Sequence, residues 1–548
     1  MNKFFLNRFH NYSFKKLQQD SLAGIIVGIV AIPLAMSFAI ASGVKPEYGI
    51  YTACIAGIMI ALFGGSKYQI GGPTGAFVPV LLGIVLVYGY ADLLLAGLLA
   101  GILLCIMSFF KLGNLIKFIP KPVILGFTTG IAVIIFIGQI PNFLGLTDLK
   151  KHEQVVDNVA EILHHITSTN LLNVCIALLS FAIIIIISKY APKIPSTLAG
   201  ILISTIVVVL FFENQLPTIG SVYGEISSEL PSFHVPEITM ERLQRLIGPA
   251  IVIALLGAIE SLLSAVVADE MTKTKHHSNR ELFGQGVANI VTPLFGGIPA
   301  TGAIARTATN IRSGAVSPIS GIVHSVFVLL VLVVFAPYAA LIPLASMAPI
   351  LMIVAWNMSE QKQFFRIAKR KDSETIVLVT TFLLTVFTSL TTAVAVGIGL
   401  GILLFAKRMG NALTVSKMLP HHETDDDKLS AEMLTQLRND AKISILTLEG
   451  PLFFLATQKL EKQLLTVYKE QPKVVILKMN KVPFIDLSAE ATFKEMITYA
   501  IENNITVMLT GITKSLEKDL AHTDIVDVVG NRQIFKQVTD AVDAALKS

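Results

Sequence analysis

Between Ser21 and Ala406 the chain is a succession of long apolar runs separated by short polar loops, and no feature constrains its fold more. In lipid every backbone N–H and C=O must find a partner inside the protein, so apolar runs of about 20 residues are read as membrane-spanning helices. The runs fall at 21–43, 48–64, 74–90, 92–110, 122–140, 171–189, 195–212, 246–269, 281–296, 302–313, 317–336, 338–356, 374–390 and 392–407. Those at 74–90 and 302–313 are too short to cross alone, and each follows a Gly/Pro-rich stretch. Of 548 residues 15% are charged, against about 25% in soluble domains, which excludes an ordinary soluble enzyme. The balance of 43 Lys+Arg against 38 Asp+Glu is too even to argue for nucleic acid.

Loop charge orients the segments. Lys111, Lys117 and Lys121 follow the fourth, Lys189 and Lys193 the sixth, and Lys273, Lys275 and Arg280 the eighth. Lys362, Arg366, Lys369, Arg370 and Lys371 follow the twelfth, and Lys407 and Arg408 the fourteenth. All share the side of the basic tail 1–20, which the positive-inside rule makes cytoplasmic. The long loops 141–170 and 213–245 then lie outside, in a cell-membrane protein with both termini cytoplasmic. Cys54, Cys105 and Cys175 sit in apolar runs and read as small membrane-buried residues, with no disulfide or metal implied.

An internal repeat locates a candidate site. Leu62-Phe63-Gly64-Gly65 recurs as Leu294-Phe295-Gly296-Gly297. A proline and the tripeptide Thr-Gly-Ala follow each copy, at Pro73-Thr74-Gly75-Ala76 and Pro299-Ala300-Thr301-Gly302-Ala303. The copies open the third and tenth segments, equivalent places in two seven-segment halves, and the odd number inverts one half relative to the other. The predicted fold is therefore an all-α polytopic membrane domain, 14 segments as a 7+7 inverted repeat with half-helices at segments 3 and 10, an architecture used by transporters. A half-helix starting within the membrane carries unpaired N–H groups and partial positive charge at its N-terminus, so two facing ends suit a small anion. Thr74 and Thr301 could add hydroxyl donors. Gly, Pro and Thr also kink and pack membrane helices, which is the blander reading of either copy alone.

Away from their ends, the segments hold three acidic or basic side chains: Glu260, Arg306 and His324. Glu260 is expected to take a proton as the anion binds, coupling uptake to the proton gradient. Rival readings have Glu260 and Ser264, one helical turn on, hold Na⁺, or Glu260 pair statically with Arg306. Arg306 could charge-neutralise the anion or Glu260. His324 reads as a hydrogen-bonded packing histidine.

Beyond about residue 410 the composition changes to a charged linker, 408–440, and then to alternating strands and helices at 441–548. Strands are expected at 442–449, 473–479 and 505–510, and helices at 456–469, 487–502, 513–520 and 532–547. This is the pattern of a small α/β domain. His421, His422 and Asp425–Asp427 in the linker, and His276 and His277 after the eighth segment, read as solvated.

Pro46-Glu47-Tyr48-Gly49-Ile50-Tyr51, Gly72-Pro73-Thr74-Gly75, the Glu260 segment and Gly297-Ile298-Pro299-Ala300-Thr301-Gly302-Ala303 together resemble the SulP family of anion transporters (solute carrier family 26). The tail resembles that family's STAS domain. The resemblance implies a core and a gate domain, elevator-like alternation and a homodimer. It also implies an anion site at Thr74, Gly75, Ala76, Phe77, Thr301, Gly302, Ala303 and Arg306, with Ala35, Ser37 and Phe38 of the first segment nearby and Glu260 beside them. AIPLAMSFAIASGV, GAIESLLSAVVADEMT, GAIARTATNIRSGAVSPIS and MIVAWNMSE resemble a branch carrying four-carbon dicarboxylic acids such as succinate, fumarate and aspartate. Bicarbonate and sulfate remain alternatives, and Pro33-Leu34-Ala35-Met36-Ser37 lacks the glutamine many members carry. In the STAS-like domain Asp486 is expected to cap a helix, and Ser488 occupies the position phosphorylated in some members. A regulatory or protein-docking role is expected there. No nucleotide loop, nucleophile–base pair or cofactor fingerprint appears, so the chain is expected to be no enzyme and to work from ion gradients. A membrane sensor and an anion channel are the readings from other classes.

Overall fold

The computed structural model describes residues 12–114, 120–152, 154–191, 194–388, 390–417, 433, 437, 442–521 and 523–547. Lys117, Lys193 and the linker residues His421, His422 and Asp425–Asp427 lie outside them. The chain forms two compact units, residues 1–398 and 399–548.

The membrane domain starts with α1 (Phe14–Ala41), α2 (Pro46–Phe63), strand β1 (Gly71–Gly72), a 3₁₀ turn (Gly75–Phe77) and α3 (Val78–Tyr88). There follow α4 (Tyr90–Phe109), α5 (Lys121–Leu144), α6 (Val155–His164), α7 (Leu171–Tyr190), α8 (Ser196–Phe211) and α9 (Ile219–Tyr223). The second half holds α10 (Met240–Thr272), α11 (Ser278–Val291), β2 (Thr301–Gly302), α12 (Ile304–Arg312), α13 (Ile319–Ala339), α14 (Leu344–Met358), α15 (Gln361–Ala368), α16 (Ser373–Phe387) and α17 (Leu390–Asn411). Each expected segment coincides with a helix, and α6, α9 and α15 are additions the hydropathy did not mark. Among the described residues, eight helices are by length and composition long and apolar enough to cross a membrane.

The packing reveals the repeat. α4 lies on α10 and α11, and its counterpart α13 lies on α1 and α2. Likewise α5 packs on α16 while its counterpart α14 packs on α7, and α5 and α14 pack on each other. Exchanging each segment for the one seven places on thus maps these contacts onto themselves. α1–α4 with α10–α13 form one bundle, and α5, α7, α8, α14 and α16 a second.

Small residues set the closest approaches. A Cβ at Gly49 of α2 would lie 2.0 Å from the Ala35 carbonyl of α1, so only glycine lets these helices cross there. Buried carboxylates fasten other joints. Asp20 of α1 accepts the Val316 and Ser317 N–H groups at 2.8 and 3.1 Å and the Ser317 hydroxyl at 2.5 Å. Asp92, at the start of α4, pairs with Arg242 at 2.5 Å and with Arg245, both at the start of α10. Asp20 is fully buried and Asp92 nearly so, so buried carboxylates occur at segment ends as well as inside. Of the cysteines, Cys54 is buried, Cys105 half-buried and Cys175 exposed on the apolar helix α7, none of them in a disulfide.

The second unit is an α/β layer structure. Strands β3 (Thr414–Lys417), β4 (Ile443–Glu449), β5 (Val474–Lys481), β6 (Thr506–Thr510) and β7 (Ile534–Phe535) order as β3-β4-β5-β6-β7, with β3 antiparallel and the rest parallel. Alternate residues face opposite layers. Leu446, Val475, Leu477, Val507 and Leu509 pack with α18 (Thr457–Tyr468), α19 (Leu487–Glu502), α20 (Lys514–Leu520) and α21 (Ile525–Val529), whereas Ile445, Val474, Ile476 and Met508 pack with α22 (Val538–Leu546). Two expectations need correction. The helix expected at 532–547 begins only at Val538, because Ile534–Phe535 pair with Leu509–Thr510 as an edge strand. The expected linker holds β3, whose short polar sequence TVSK carries no strand signal of its own.

Candidate anion-binding site

The two repeat copies meet. Gly71 pairs with Gly302 and Gly72 with Thr301 in an antiparallel bridge, extended by Ala303 N–H donating to the Ile70 carbonyl at 2.8 Å. The third and tenth segments thus start beside each other, one as the 3₁₀ turn Gly75–Phe77 leading into α3, the other as α12.

Breaking helices inside a membrane strands backbone groups, and side chains of the neighbouring helices satisfy them. Glu281 of α11, fully buried, accepts the Gly65 and Ser66 N–H groups at 2.8 and 3.0 Å. Asn289 bonds both the N–H and the carbonyl of Ala300, at 2.9 and 2.8 Å. Thr52 Oγ1 accepts from Ile298 N–H at 2.8 Å, and Thr307 Oγ1 from Ile70 N–H at 3.0 Å. These four residues hold both broken segments in place and were not singled out from sequence. Thr52 and Asn289 stand out as polar within apolar or small-residue runs, whereas Glu281 and Thr307 lie among other polar residues and carried no such signal.

Glu260 of α10 lies at the mouth of the first half-helix. Thr74 Oγ1, at the residue that begins the 3₁₀ turn, donates to Glu260 Oε2 at 2.7 Å. Thr74, read from sequence as a residue that could add a hydroxyl donor, gives its hydroxyl proton to this carboxylate. Glu260 is half-buried, and Ile304 and Ala305 in the first turn of α12 are exposed. Arg306 is buried. Its Nη2 donates to the Pro73 carbonyl, while Nη1 has no hydrogen-bond partner among the described residues. A Cβ at Gly72 would stand 2.6 Å from Nη1, so glycine there makes room for the guanidinium. No ion pair joins Glu260 and Arg306 among the described residues, and the static pair considered from sequence is not formed.

The remaining candidates divide. Phe38 of α1 faces Gly75, whose Cβ would lie 3.4 Å from its ring. Ser37 is buried nearby in sequence with an unpartnered hydroxyl, whereas the Ala35 carbonyl is turned to α2. Phe77 is fully buried, with its ring against Gly257 of α10, and Ala76 is closed off with it. Thr301 donates its hydroxyl to the Gly257 carbonyl at 3.1 Å, which fixes β2 to α10. Gly302 and Ala303 are buried in the bridge. Ser264 lies one turn from Glu260, but its hydroxyl donates to Thr307 at 3.2 Å. His324 is fully buried, yet neither ring nitrogen has a hydrogen-bond partner among the described residues, contrary to the hydrogen-bonded histidine expected. His276, expected to be solvated, is held at 2.7 Å by Asp269 and at 3.1 Å by Ser278. In the second unit Asp486 does cap α19, accepting from Ala489 N–H at 2.9 Å, and Ser488 is exposed in its first turn.

A helical membrane domain with two opposed half-helices and an appended α/β domain defines the class, an anion transporter of the inverted-repeat type. Residues 17–381 match the sulfate permease family and residues 435–541 the STAS domain, so the chain belongs to the sulfate permease family. Among its relatives is YvdB of Bacillus subtilis (strain 168), a candidate sulfate transporter by name, 51% identical over 97% of this chain and 98% of that one. The bicarbonate transporter BicA of Picosynechococcus sp. is 28% identical over 92% of this chain and 90% of its own. Among solved structures, the transmembrane domain of a cyanobacterial BicA aligns with TM-score 0.63 at 31% identity, covering 71% of this chain and 98% of that one. The murine Solute Carrier 26 family member A9 structure, inward-facing, shares the fold with TM-score 0.87 at 18% identity, covering 99% of this chain and 94% of that one.

Proposed function

We propose that this chain is a gradient-driven transporter that holds a small anion between the N-termini of the Gly75–Phe77 turn and α12, and couples its movement to a proton carried by Glu260. The Thr74–Glu260 hydrogen bond supports this reading most directly, because it sets a titratable carboxylate beside one of the two positive helix ends. An anion arriving there repels the carboxylate's charge and favours its protonated form, so anion and proton travel together. The charge of the uncoordinated Arg306 Nη1 assists the same site. Residues 21–407 serve as the membrane part and 441–548 as a cytoplasmic STAS domain open to protein partners, in a homodimer of the cell membrane.

Sulfate and bicarbonate come first among substrates because relatives bear those names. Four-carbon dicarboxylates rest on the resemblance of the sequence stretches alone. Movement of the bundle α1–α4 with α10–α13 against the other supplies elevator-like alternation.

The test is uptake of radiolabelled sulfate, bicarbonate and succinate into proteoliposomes under inward H⁺ or Na⁺ gradients, for wild type and Glu260→Gln. Accumulation driven by H⁺ and lost in the variant supports the proposal. Concentrative uptake that Glu260→Gln leaves intact sinks Glu260 as the coupling group. Dependence on Na⁺ alone replaces the proton by Na⁺.

A further inference from the structure

α15 joins α14 to α16, two membrane-domain helices, after a tight turn at Glu360, where φ is 40°. None of its residues is buried. Its sequence QKQFFRIA sorts by direction. Phe364 points inward, its ring 5.3 Å from that of Phe382 on α16. At about 100° per residue, Phe365 lies roughly 100° round the helix from Phe364, with Lys362 and Arg366 a further 60–100° or so on the same side. Phe365 is 59% exposed, and Trp356, in the last turn of α14, is 63% exposed. The basic run continues past the helix as Lys369-Arg370-Lys371. Arg370 is occupied by Asp372 and Glu374 at 3.0 and 3.2 Å. Lys362, Arg366, Lys369 and Lys371 are exposed and make no ion pair with the described residues.

We propose that α15 and the segment Lys369–Lys371 form a binding surface for anionic phospholipid headgroups. An exposed aromatic flanked by unpaired cations, on a short helix between two membrane helices, is the arrangement of an interfacial element: the ring enters the acyl boundary and the cations stay at headgroup depth. Four unpaired positive charges within ten residues fit an anionic leaflet and repel a basic partner. The assignment is independent of which anion the transporter carries.

Trp356 is the chain's one tryptophan, so its fluorescence reports the lipid next to α15 without labelling. The protein is reconstituted in phosphatidylcholine containing either dibrominated phosphatidylglycerol or dibrominated phosphatidylcholine at equal mole fraction, and quenching is followed. Brominated phosphatidylglycerol is expected to associate about three- to fivefold more strongly, with the ratio shrinking at high salt. The K362Q/R366Q/K369Q/K371Q variant is expected to bring the ratio close to one. Equal quenching of the wild type by both lipids overturns the proposal without reference to the variant. So does a preference that neither salt nor the four substitutions reduce.

Discussion

Thr74 donates its hydroxyl to Glu260 over 2.7 Å and so joins the start of the first half-helix to the middle of α10. The bond holds the carboxylate where an incoming anion must meet it. Thr74→Val removes the donor at nearly constant volume, whereas Thr74→Ser keeps it. A hydrogen bond to a charged group is worth about 1.5–3 kcal/mol, so roughly a tenfold or greater fall in initial uptake rate is expected for the valine variant. The serine variant is expected to stay within about threefold of wild type. Equal rates for the two variants would show that this bond does not serve transport.

Glu281 accepts two backbone N–H groups of the Gly65–Ser66 break and the Gln285 side chain at 2.9 Å, all buried. Glutamine offers one acceptor oxygen where the carboxylate offers two, and it turns an NH₂ towards a donor. Glu281→Gln is expected to cost about 2–3 kcal/mol, seen as a clear drop in the thermal midpoint in detergent. An unchanged midpoint would mean that the break is held by other contacts.

Hydropathy made the helices legible, and the Thr-Gly-Ala copies revealed the half-helices, because both signals are local or repeated. The bridge of Gly71–Gly72 with Thr301–Gly302 was not legible: two-residue strands have no period, and their partners lie far apart in sequence. The same distance hid that Thr74 is committed to Glu260, Thr301 to Gly257 and Ser264 to Thr307. Polar residues inside apolar stretches, such as Thr52 and Asn289, were the readable trace of this scaffold. A chain that breaks two helices in lipid must supply such residues somewhere.

Gly302 tests the bridge directly. A Cβ there would fall 1.6 Å from Gln69 Nε2, which donates to the Ser261 carbonyl at 3.0 Å. Gly302→Ala must therefore push the buried Gln69 amide off the Ser261 carbonyl of α10 and leave both unpaired beside the bridge, and uptake is expected to fall below about a tenth of wild type, the loss of at least 1.4 kcal/mol. Gly138 in α5 has nothing within 4 Å of its would-be Cβ. Gly138→Ala is expected to leave uptake unchanged. The pair of variants compared in the same vesicles separates the bridge from a general intolerance of alanine.

In the second unit Lys494 bonds Asp524 at 2.6 Å and holds its carboxyl below the usual carboxylate range. A lowered folded value means the contribution is present above the unfolded pKa and lost as pH falls through the folded one. The tie between α19 and α21 is therefore complete at neutral pH and released only in acid. Because the pair is exposed, salt weakens it. Nuclear magnetic resonance titration of the Asp524 carboxyl is expected to show a midpoint below that of Asp524 in the Lys494→Met variant. Coincident midpoints would remove the pair from the account.

Asp486 fixes the start of α19 from two directions, accepting from Ala489 N–H within the helix and from Phe454 N–H before α18, each at 2.9 Å. Asp486→Ala removes both bonds and is expected to cost about 1–2 kcal/mol, with faster amide exchange in the first turn of α19. Asp486→Asn keeps an acceptor and is expected to lose less than half of that. Ser488 stands exposed in the same turn, where added negative charge meets the positive end of the helix. Ser488→Glu is therefore expected to slow exchange in that turn and to offset part of the Asp486→Ala loss when the two are combined. If the glutamate instead speeds exchange, a phosphate on Ser488 would loosen α19 rather than order it, and regulation at this position would have to act through a partner's affinity for the frayed end.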